Sequence, residues 1–268
     1  MADYTETRPQ PARPGLVWLL VLLAVAAFTG LMALGVWQVQ RLQWKLALIE
    51  RVERRVNAAP AAAPVPTEWA NINRESSEYT RVQVSGRFDH SRETLVRAST
   101  DLGSGFWVLT PLKTTSGFWI LINRGFVSDA YRAPASRVGS TEQQLVVGLL
   151  RLSEPGGSFL QHNDVVAGRW YSRDVQAIAA NVALDARPGA RGGLSAAPYF
   201  IDAAASQNLQ QWPRGGLTVL NFYNNHLVYA LTWFVLAAMV AAAAAYLMYS
   251  EQQLRASQAA DKKVNVRA

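Results

Sequence analysis

The stretch "NNHLVYALTWFVLAAMVAAAAAYLMY" (Asn224–Tyr249) decides the fold of this 268-residue chain, because it is apolar and carries no charge. The uncharged sequence around it extends from Gly215 to Ser250, and a second uncharged run extends from Leu16 to Gln40. About 20 helical residues cross the hydrocarbon core of a bilayer, so each run is long enough to span it. We therefore predict two transmembrane helices, at residues 16–37 and 227–249.

The first apolar run has an alternative interpretation as a cleaved signal peptide. Ala24–Ala26 resemble a small-residue cleavage site, but the apolar sequence continues unbroken to Val36, where a signal peptide would already have become polar. The first residues are not an Arg-rich, acid-poor import leader either, since they include Asp3 and Glu6. We expect a retained helix in a bacterial plasma (inner) membrane.

The charges that flank the two helices bear on their orientation. The tail 250–268 carries four Lys and Arg residues against Arg214 alone on the other side, which favours a cytoplasmic C-terminus. Around the first helix the balance is reversed, with five basic residues at 41–55 and two at 1–15. Long domains translocate largely regardless of such charges, so we give the second helix more weight. The prediction is two cytoplasmic tails and a periplasmic domain between the helices.

Two segments follow the first membrane helix. Leu42, Leu46 and Ile49 recur at helical spacing, which predicts a juxtamembrane helix over residues 38–56. Residues 57–68 are rich in Ala and Pro, too rich in proline for a helix or an inner strand, and are predicted to be a linker.

Residues 69–214 have the signature of a β-rich domain, and residues 215–226 would connect it to the second helix. Short runs rich in β-branched and aromatic residues are separated by Gly, Ser, Asp and Pro: "YTRVQVSGRF", "ETLVRA", "FWVLTPL", "GFWILINRGFV", "QLVVGLLRL" and "PYFIDAA". Gly86 breaks the alternation in the first run and suggests a bulge. In "DVQAIAANVAL", Asp174 is placed to cap a helix. The predicted fold class is a membrane-anchored α+β protein, with two transmembrane helices flanking an antiparallel sheet that can close into a barrel.

Several function classes lack their signatures in this chain. There is no cysteine and there are only three histidines, so a metal site made from side chains alone is disfavoured. No nucleophile elbow, phosphate-binding loop or zinc-protease motif occurs, and we expect no enzyme. The predicted tails are too short for the output domain of a signalling receptor. The net charge of +7 suits anionic headgroups. The sequence has no basic cluster interleaved with aromatic residues, which is the pattern that would indicate nucleic-acid binding.

His226 stands at the edge of the second membrane helix. Tyr229 and Trp233 follow it at spacings of three and seven, so all three share one helix face. An imidazole in this position is often an interfacial residue beside an aromatic belt. The same face could instead ligate an iron through the imidazole while its aromatics pack against a planar macrocycle. The residues alone leave both interpretations open.

Four motifs of this chain resemble those of one protein family. "GVWQVQRLQWK" (Gly35–Lys45) resembles that family's G-x-W-Q-x-x-R-x-x-x-K, and "NHLVYALTWF" (Asn225–Phe234) is similar to N-H-L-x-Y-A-x-T-W-F. Between them, "GFWVLTPL" (Gly105–Leu112) resembles G-x-x-V-x-T-P-L. "NRGFV" (Asn123–Val127) resembles N-R-G-W-V, with Phe126 in place of the usual tryptophan and therefore without its N–H donor.

Together, these motifs resemble the surfeit-locus family of cytochrome c oxidase assembly factors. This resemblance implies a role in the maturation of haem-copper oxidases, with haem a as the transient cargo. It would bring the chain together with the oxidase's catalytic subunit, the haem a synthase and membrane lipids. The residues expected to contact haem are an axial ligand, His226, four flanking aromatics, Tyr229, Trp233, Trp37 and Trp44, and two partners for the propionates, Arg41 and Lys45. The alternative is a scaffold that holds synthase and oxidase together without binding haem.

Overall fold

The computed structural model describes residues 12–137, 139–157, 161–184, 196–206, 208, 210–218 and 223–265. The chain divides into two compact units. One contains the two terminal segments up to Ile49 and from Phe222, and the other is the domain from Glu50 to Asn221.

Two long helices, α1 (Pro14–Asn57) and α4 (His226–Asn265), make up the helical unit, although the last turns of α1 belong to the other unit. The predicted first membrane helix and the predicted juxtamembrane helix form one continuous helix of 44 residues, about 66 Å long at 1.5 Å per residue. The most apolar windows of the two helices have mean hydropathies of 2.5 and 2.1 and are almost wholly exposed. Both helices are therefore long and apolar enough to cross a membrane, which agrees with the two predicted spans.

The two helices pack along a narrow seam, and they run antiparallel. The protected positions of α4 recur at alternating spacings of four and three, as in a coiled-coil seam: His226, Ala230, Trp233, Ala237, Val240, Ala244, Leu247 and Glu251. Gly35 of α1 lies so close to the Phe234 ring that a Cβ atom would be 2.5 Å from it. Near the other end, the backbone N–H of Ala12 donates to Glu251 at 3.1 Å. Small residues at the seam allow this close approach.

The described part of the second unit contains seven strands: β1 (Ala61–Ala62), β2 (Arg81–Phe88), β3 (Thr94–Thr100), β4 (Gly103–Thr114), β5 (Trp119–Ser128), β6 (Gln144–Leu152) and β7 (Ala196–Ala203). Five of them form a closed barrel in the order β2-β6-β7-β5-β4, because β2 also pairs with β4. Four of the barrel pairs are antiparallel and β5–β7 is parallel. The predicted fold class is confirmed, with a mixed barrel in place of a purely antiparallel one.

Gly86 lies where the barrel closes. It pairs with Gln144 of β6 on one side and with Thr114 of β4 on the other, without a register shift in either pairing. A Cβ atom at this position would lie 2.3 Å from the carbonyl oxygen of Lys113. The sequence suggested a bulge here, but the glycine is required because β4 approaches the backbone of β2 closely at this position.

Alternating residues of the strands fill the barrel interior, including Val82, Leu112, Ile122, Leu150 and Ile201. On the outer face of β5 and β7, a second cluster packs against helix α3 (Val175–Asn181). The predicted cap of this helix is confirmed, since Asp174 accepts a hydrogen bond from the backbone N–H of Ala177 at 3.1 Å. A short helix, α2 (Arg74–Ser77), precedes β2.

The Ala/Pro segment predicted to be a linker differs from that expectation. It contains the edge strand β1, which pairs in parallel with β2. The carbonyl oxygen of Pro64 accepts hydrogen bonds from Trp69 Nε1 at 3.1 Å and from the Tyr199 hydroxyl at 2.7 Å. Trp69 then packs edge-on against Phe118, with ring centroids 5.6 Å apart. Proline is tolerated beside β1 because this strand lies at the edge of the sheet. Through the contacts of Pro64 and Trp69, the segment closes one end of the barrel.

Candidate functional site

A polar pair joins the two helices at the first residue of α4. His226 Nδ1 lies 2.8 Å from Oε1 of Gln38, whose side chain is buried in the seam. An amide oxygen can only accept, so Nδ1 carries the proton and the lone pair of the neutral ring is on Nε2. Within the described part of the chain, no hydrogen bond reaches Nε2. The imidazole is therefore oriented through one nitrogen while the other remains able to bind a ligand.

The local sequence explains this placement. Gln38 follows Gly35 by three residues, so both lie on the α1 face where the helices approach closely. On α4, the backbone N–H of His226 donates to the side chain of Asn224 at 3.3 Å, which satisfies a donor at the start of the helix. The glycine brings the helices together, and the asparagine fixes the start of α4 at the level of Gln38.

Arg41 and the two tryptophans of α1 form a second group. The guanidinium lies over both rings, 6.0 Å from the centroid of Trp37 and 5.1 Å from that of Trp44. Both indoles are about half exposed, at 50% and 55%. Lys45 is partly buried and follows Gln38 by seven residues, so it lies two turns further along the same face. A cationic and aromatic strip therefore continues from Gln38 towards the C-terminal end of α1.

The two aromatics of α4 lie in the opposite direction along the helix pair. Trp233 is on the seam, and its buried Nε1 has no hydrogen-bond partner among the residues that the structure describes. Tyr229 is 53% exposed beside the seam. Because the helices are antiparallel, Lys45 and Trp233 lie on opposite sides of His226, each about 10 Å away along the axis for seven residues of rise. The predicted residues thus form an ordered series, with cations at one end, the imidazole in the middle and an indole at the other end.

Gln38 is the site residue that the sequence did not single out. It is the fourth residue of the first motif, but a neutral amide carries no chemistry of its own that would identify it. The available signal was its spacing of three from Gly35, which places both on one helix face. Only the helix packing shows that this face meets His226.

The other two histidines are placed differently. Both ring nitrogens of His90 already have partners: Arg124 donates to Nδ1 at 3.3 Å, and Nε2 donates to the carbonyl oxygen of Ser140 at 3.0 Å. His162 is exposed, and its Nδ1 donates to the carbonyl oxygen of Gly156 at 3.1 Å. Among the described residues, no group of three His, Cys, Asp or Glu side chains could hold a metal ion. A haem iron needs less, since a single imidazole can ligate it.

Comparison with known proteins shows the family of this chain. The model of the SURF1 family matches residues 25–238, which include both Gln38 and His226. The chain belongs to the SURF1 family. It is similar to Surfeit locus protein 1 of Homo sapiens, with 35% identity over 258 residues that cover 88% of this chain and 77% of the human one. The family match confirms the resemblance that the sequence motifs indicated.

Other relatives are as similar over most of their length. Surfeit locus protein 1 of Takifugu rubripes is 33% identical over 242 residues, which cover 83% of this chain and 92% of the relative. A SURF1-like protein of Monosiga brevicollis is 34% identical over 244 residues, covering 85% of each chain. The family match therefore includes both long helices and the barrel, and is not limited to one of the two units.

Proposed function

We propose that this chain is an assembly factor for cytochrome c oxidase that receives haem a at its helix pair and assists its insertion into the catalytic subunit. Membership of the SURF1 family supports the role in oxidase assembly. The observation that carries the haem site is the hydrogen bond between Gln38 and His226, because it leaves the Nε2 lone pair available. The proposed role is that of a carrier and not of an enzyme.

In this proposal His226 is the axial ligand of the haem iron. Histidines that ligate a metal usually donate their second ring N–H to a neighbouring acceptor, which fixes the tautomer and the orientation of the ring. Gln38 supplies such an acceptor before any cargo is bound. The ring then does not have to be reoriented when the iron arrives.

The groups on either side of His226 suit the two ends of haem a. The propionates are anionic, and Arg41 and Lys45 provide cations at one end of the series. The isoprenoid tail is apolar, and Trp233, Tyr229 and the lipid-facing surface of α4 are at the other end. The half-exposed Trp37 and Trp44 would flank the ring. A carrier that holds its cargo at the membrane edge keeps this tail out of water.

The proposed orientation places both termini in the cytoplasm and the barrel in the periplasm of a bacterial inner membrane. There the haem a synthase and the oxidase's catalytic subunit would be the protein partners. Reporter fusions test the orientation: a fusion at the C-terminus should be active as a cytoplasmic reporter, and an insertion after the exposed Val166 as a periplasmic one. A periplasmic result for the C-terminal fusion would reverse the proposed topology.

Haem content tests the proposed function itself. Full-length protein purified from a host that makes haem a should show a haem absorbance band, and His226→Ala should lose it while remaining in the membrane. His162→Ala is the matched control, because that histidine lies in an exposed loop of the other unit and should keep the band. A wild-type protein that never carries haem but co-purifies with synthase and oxidase would replace the carrier proposal with the scaffold alternative.

A further inference from the structure

The helix pair contains a small pocket that the proposed haem site does not use. It has a volume of about 180 Å³ and lies where α1 begins and the apolar run of α4 ends. This level is roughly 38 Å further along α4 than His226, at 1.5 Å per residue. The walls of the pocket include Val17, Trp18, Val21, Met248, Glu251 and Arg255. Pockets for drug-sized ligands occupy about 300–1,000 Å³, so this smaller one suits a compact chemical group.

The lining of this pocket changes from apolar to charged along the helix axis. Val21 and Met248 lie within the two uncharged runs, whereas Glu251 is the first charged residue after the second run and Arg255 follows it by one turn. The indole of Trp18 is 73% exposed at the same end of the pair, and tryptophan favours the membrane–water interface. The pocket therefore lies at the boundary between hydrocarbon and water, and it suits a ligand that is apolar at one end and polar at the other.

The charged end of the pocket contains one carboxylate and one guanidinium. The Glu251 side chain is 11% exposed, and its two oxygens accept from the backbone N–H of Ala12 at 3.1 and 3.2 Å. A carboxylate offers about four lone pairs, so one N–H leaves capacity for further donors. Arg255 is 47% exposed, and its Nη2 lies 3.7 Å from Oε2 of Glu251, beyond hydrogen-bonding distance. The lining therefore carries two opposite charges that are close together and that both retain capacity for a ligand.

We propose that this pocket binds one molecule of phosphatidylethanolamine through its headgroup, with the acyl chains along the apolar end. The ammonium group donates to Glu251 and the phosphate accepts from Arg255, each in a charge-assisted hydrogen bond. The acyl chains continue past Val21 and Met248 on the exposed apolar surface of the helices. The site lies within the helical unit, and it depends neither on the haem proposal nor on the orientation of the helices in the membrane.

The pair of opposite charges identifies the headgroup. Phosphatidylglycerol has the phosphate but no cation for Glu251, so it would bring a negative charge beside a largely buried carboxylate. Phosphatidylcholine has both charges, but methyl groups replace the N–H donors of its nitrogen, and none is left to donate to Glu251. Of these three lipids, phosphatidylethanolamine alone supplies N–H donors and an oxyanion together.

Native mass spectrometry tests the proposal on the full chain, released from micelles that contain equal amounts of the dioleoyl forms of these three lipids. We expect one retained molecule of phosphatidylethanolamine, in about tenfold excess over either of the others, the effect of one hydrogen bond between charged groups. Equal retention of the three lipids, or a preference for either of the other two, would overturn the proposal. Excess glycerophosphoethanolamine, which has no acyl chains, should leave the lipid bound, and displacement by it would contradict the role of the apolar end.

Two variants assign the binding to the charged pair. Arg255→Gln should retain phosphatidylethanolamine about tenfold more weakly, because the phosphate loses its guanidinium. Glu251→Gln keeps an oxygen for the Ala12 N–H, so the helix ends should stay together. It leaves Arg255 as the only charge of the lining, and the preference should therefore shift from phosphatidylethanolamine to phosphatidylglycerol.

An exposed ion pair of the same spacing provides the matched controls. Glu50 and Arg54 of α1 are also four residues apart, with Nε of the arginine 3.9 Å from the carboxylate, but they do not line the pocket. Glu50→Gln and Arg54→Gln should retain phosphatidylethanolamine as the wild type does. An unchanged lipid preference in both pocket variants, or the same change in the control variants, would contradict the assignment.

Discussion

Asp202 in the barrel and His226 in the helix pair are both polar groups in packed surroundings, but their hydrogen bonding differs. Asp202 is 5% exposed, and both of its oxygens accept bonds from four surrounding side chains: Asn123, Arg151, Arg173 and Thr218. His226 is bonded through one ring nitrogen to Gln38. A group whose bonding capacity is filled from within the fold holds the structure together. A group that is oriented by one partner and left with a free lone pair is prepared for a ligand.

The hydrogen bonding of Asp202 and His226 differs because the two residues lie in different surroundings. Two strands, β5 and β6, and two loop segments bring side chains to Asp202, which allows several cations and donors to reach it. Two antiparallel helices contact each other only along a narrow seam of small and apolar residues. A polar side chain in this seam therefore has few hydrogen-bond partners within reach. The barrel therefore contains a charge network, whereas the helix pair contains a single hydrogen bond between side chains across the seam among the described residues.

The largest expected effect is the loss of the charge network. Asp202→Ala leaves Arg151 and Arg173 buried with less negative charge, and breaking a buried pair typically costs about 3–5 kcal/mol in the free energy of unfolding. Thermal unfolding of the full chain, followed by near-ultraviolet circular dichroism, measures the change. Asp164→Ala is the control, since it removes an exposed ion pair with Arg169 and should leave the melting curve unchanged. Equal effects of the two substitutions would contradict the structural role of the network.

The next effect concerns the seam of the helix pair. Gly35→Leu forces a side chain into the Phe234 ring, and overpacking of this kind costs about 1–3 kcal/mol. The helices should separate and the haem band should fall, while the barrel melts as before. Gly30→Leu is the matched control, because nothing lies within 4 Å of a Cβ atom at that position. If both variants keep their haem, the close approach at Gly35 is not needed for binding.

A smaller effect is expected when the acceptor of His226 is removed. Gln38→Leu keeps His226 as the ligand but removes the acceptor that fixes the tautomer and orientation of its ring. Loss of such an outer partner costs about 10–100-fold in metal affinity. Gln38→Glu keeps an acceptor and should lower the haem reduction potential, since a carboxylate makes the imidazole a stronger donor to iron. The exposed Gln40→Leu serves as the control. Unchanged affinity and potential in both Gln38 variants would show that the hydrogen bond has no functional role.

The smallest effect at neutral pH is expected at the closed mouth of the barrel. Tyr199→Phe removes the hydrogen bond to Pro64, worth about 1 kcal/mol. Burial raises the pKa of the Tyr199 hydroxyl, so the folded barrel keeps the phenol neutral beyond the pH of about 10 at which the unfolded chain ionises. The stability from this shift is complete below pH ~10 and is lost as pH rises towards the folded pKa. Wild type should therefore lose more stability than Tyr199→Phe between pH 9 and 11, in roughly that window; parallel losses would contradict it.

The sequence predicted well those features that depend on local pattern. The two apolar runs, the strand runs at β4 and β5 and the capped helix at Asp174 all follow from composition, periodicity or a short motif, and the structure contains each of them. The parallel pairing of β5 with β7 was not predictable in this way, because it joins segments far apart in the chain. The same holds for β1, whose flanking prolines indicate a linker until its pairing with β2 is known.

The candidate site shows the same division. His226 could be singled out because histidine is rare in this chain and is placed at the edge of an apolar helix. Its partner Gln38 could not, since the bond joins residues 188 positions apart through the packing of two helices.

The central claim is that the Nε2 of His226 binds the iron of haem a, and chemical rescue tests it most directly. His226→Gly, purified in full length from a haem-a-producing host, should lack the haem band. Addition of free imidazole with haem a should restore the haem band of the wild-type protein, and it should not do so in a protein that also carries Gly35→Leu. Full haem occupancy of His226→Gly without imidazole, or a wild-type protein that binds no haem a, would contradict the account.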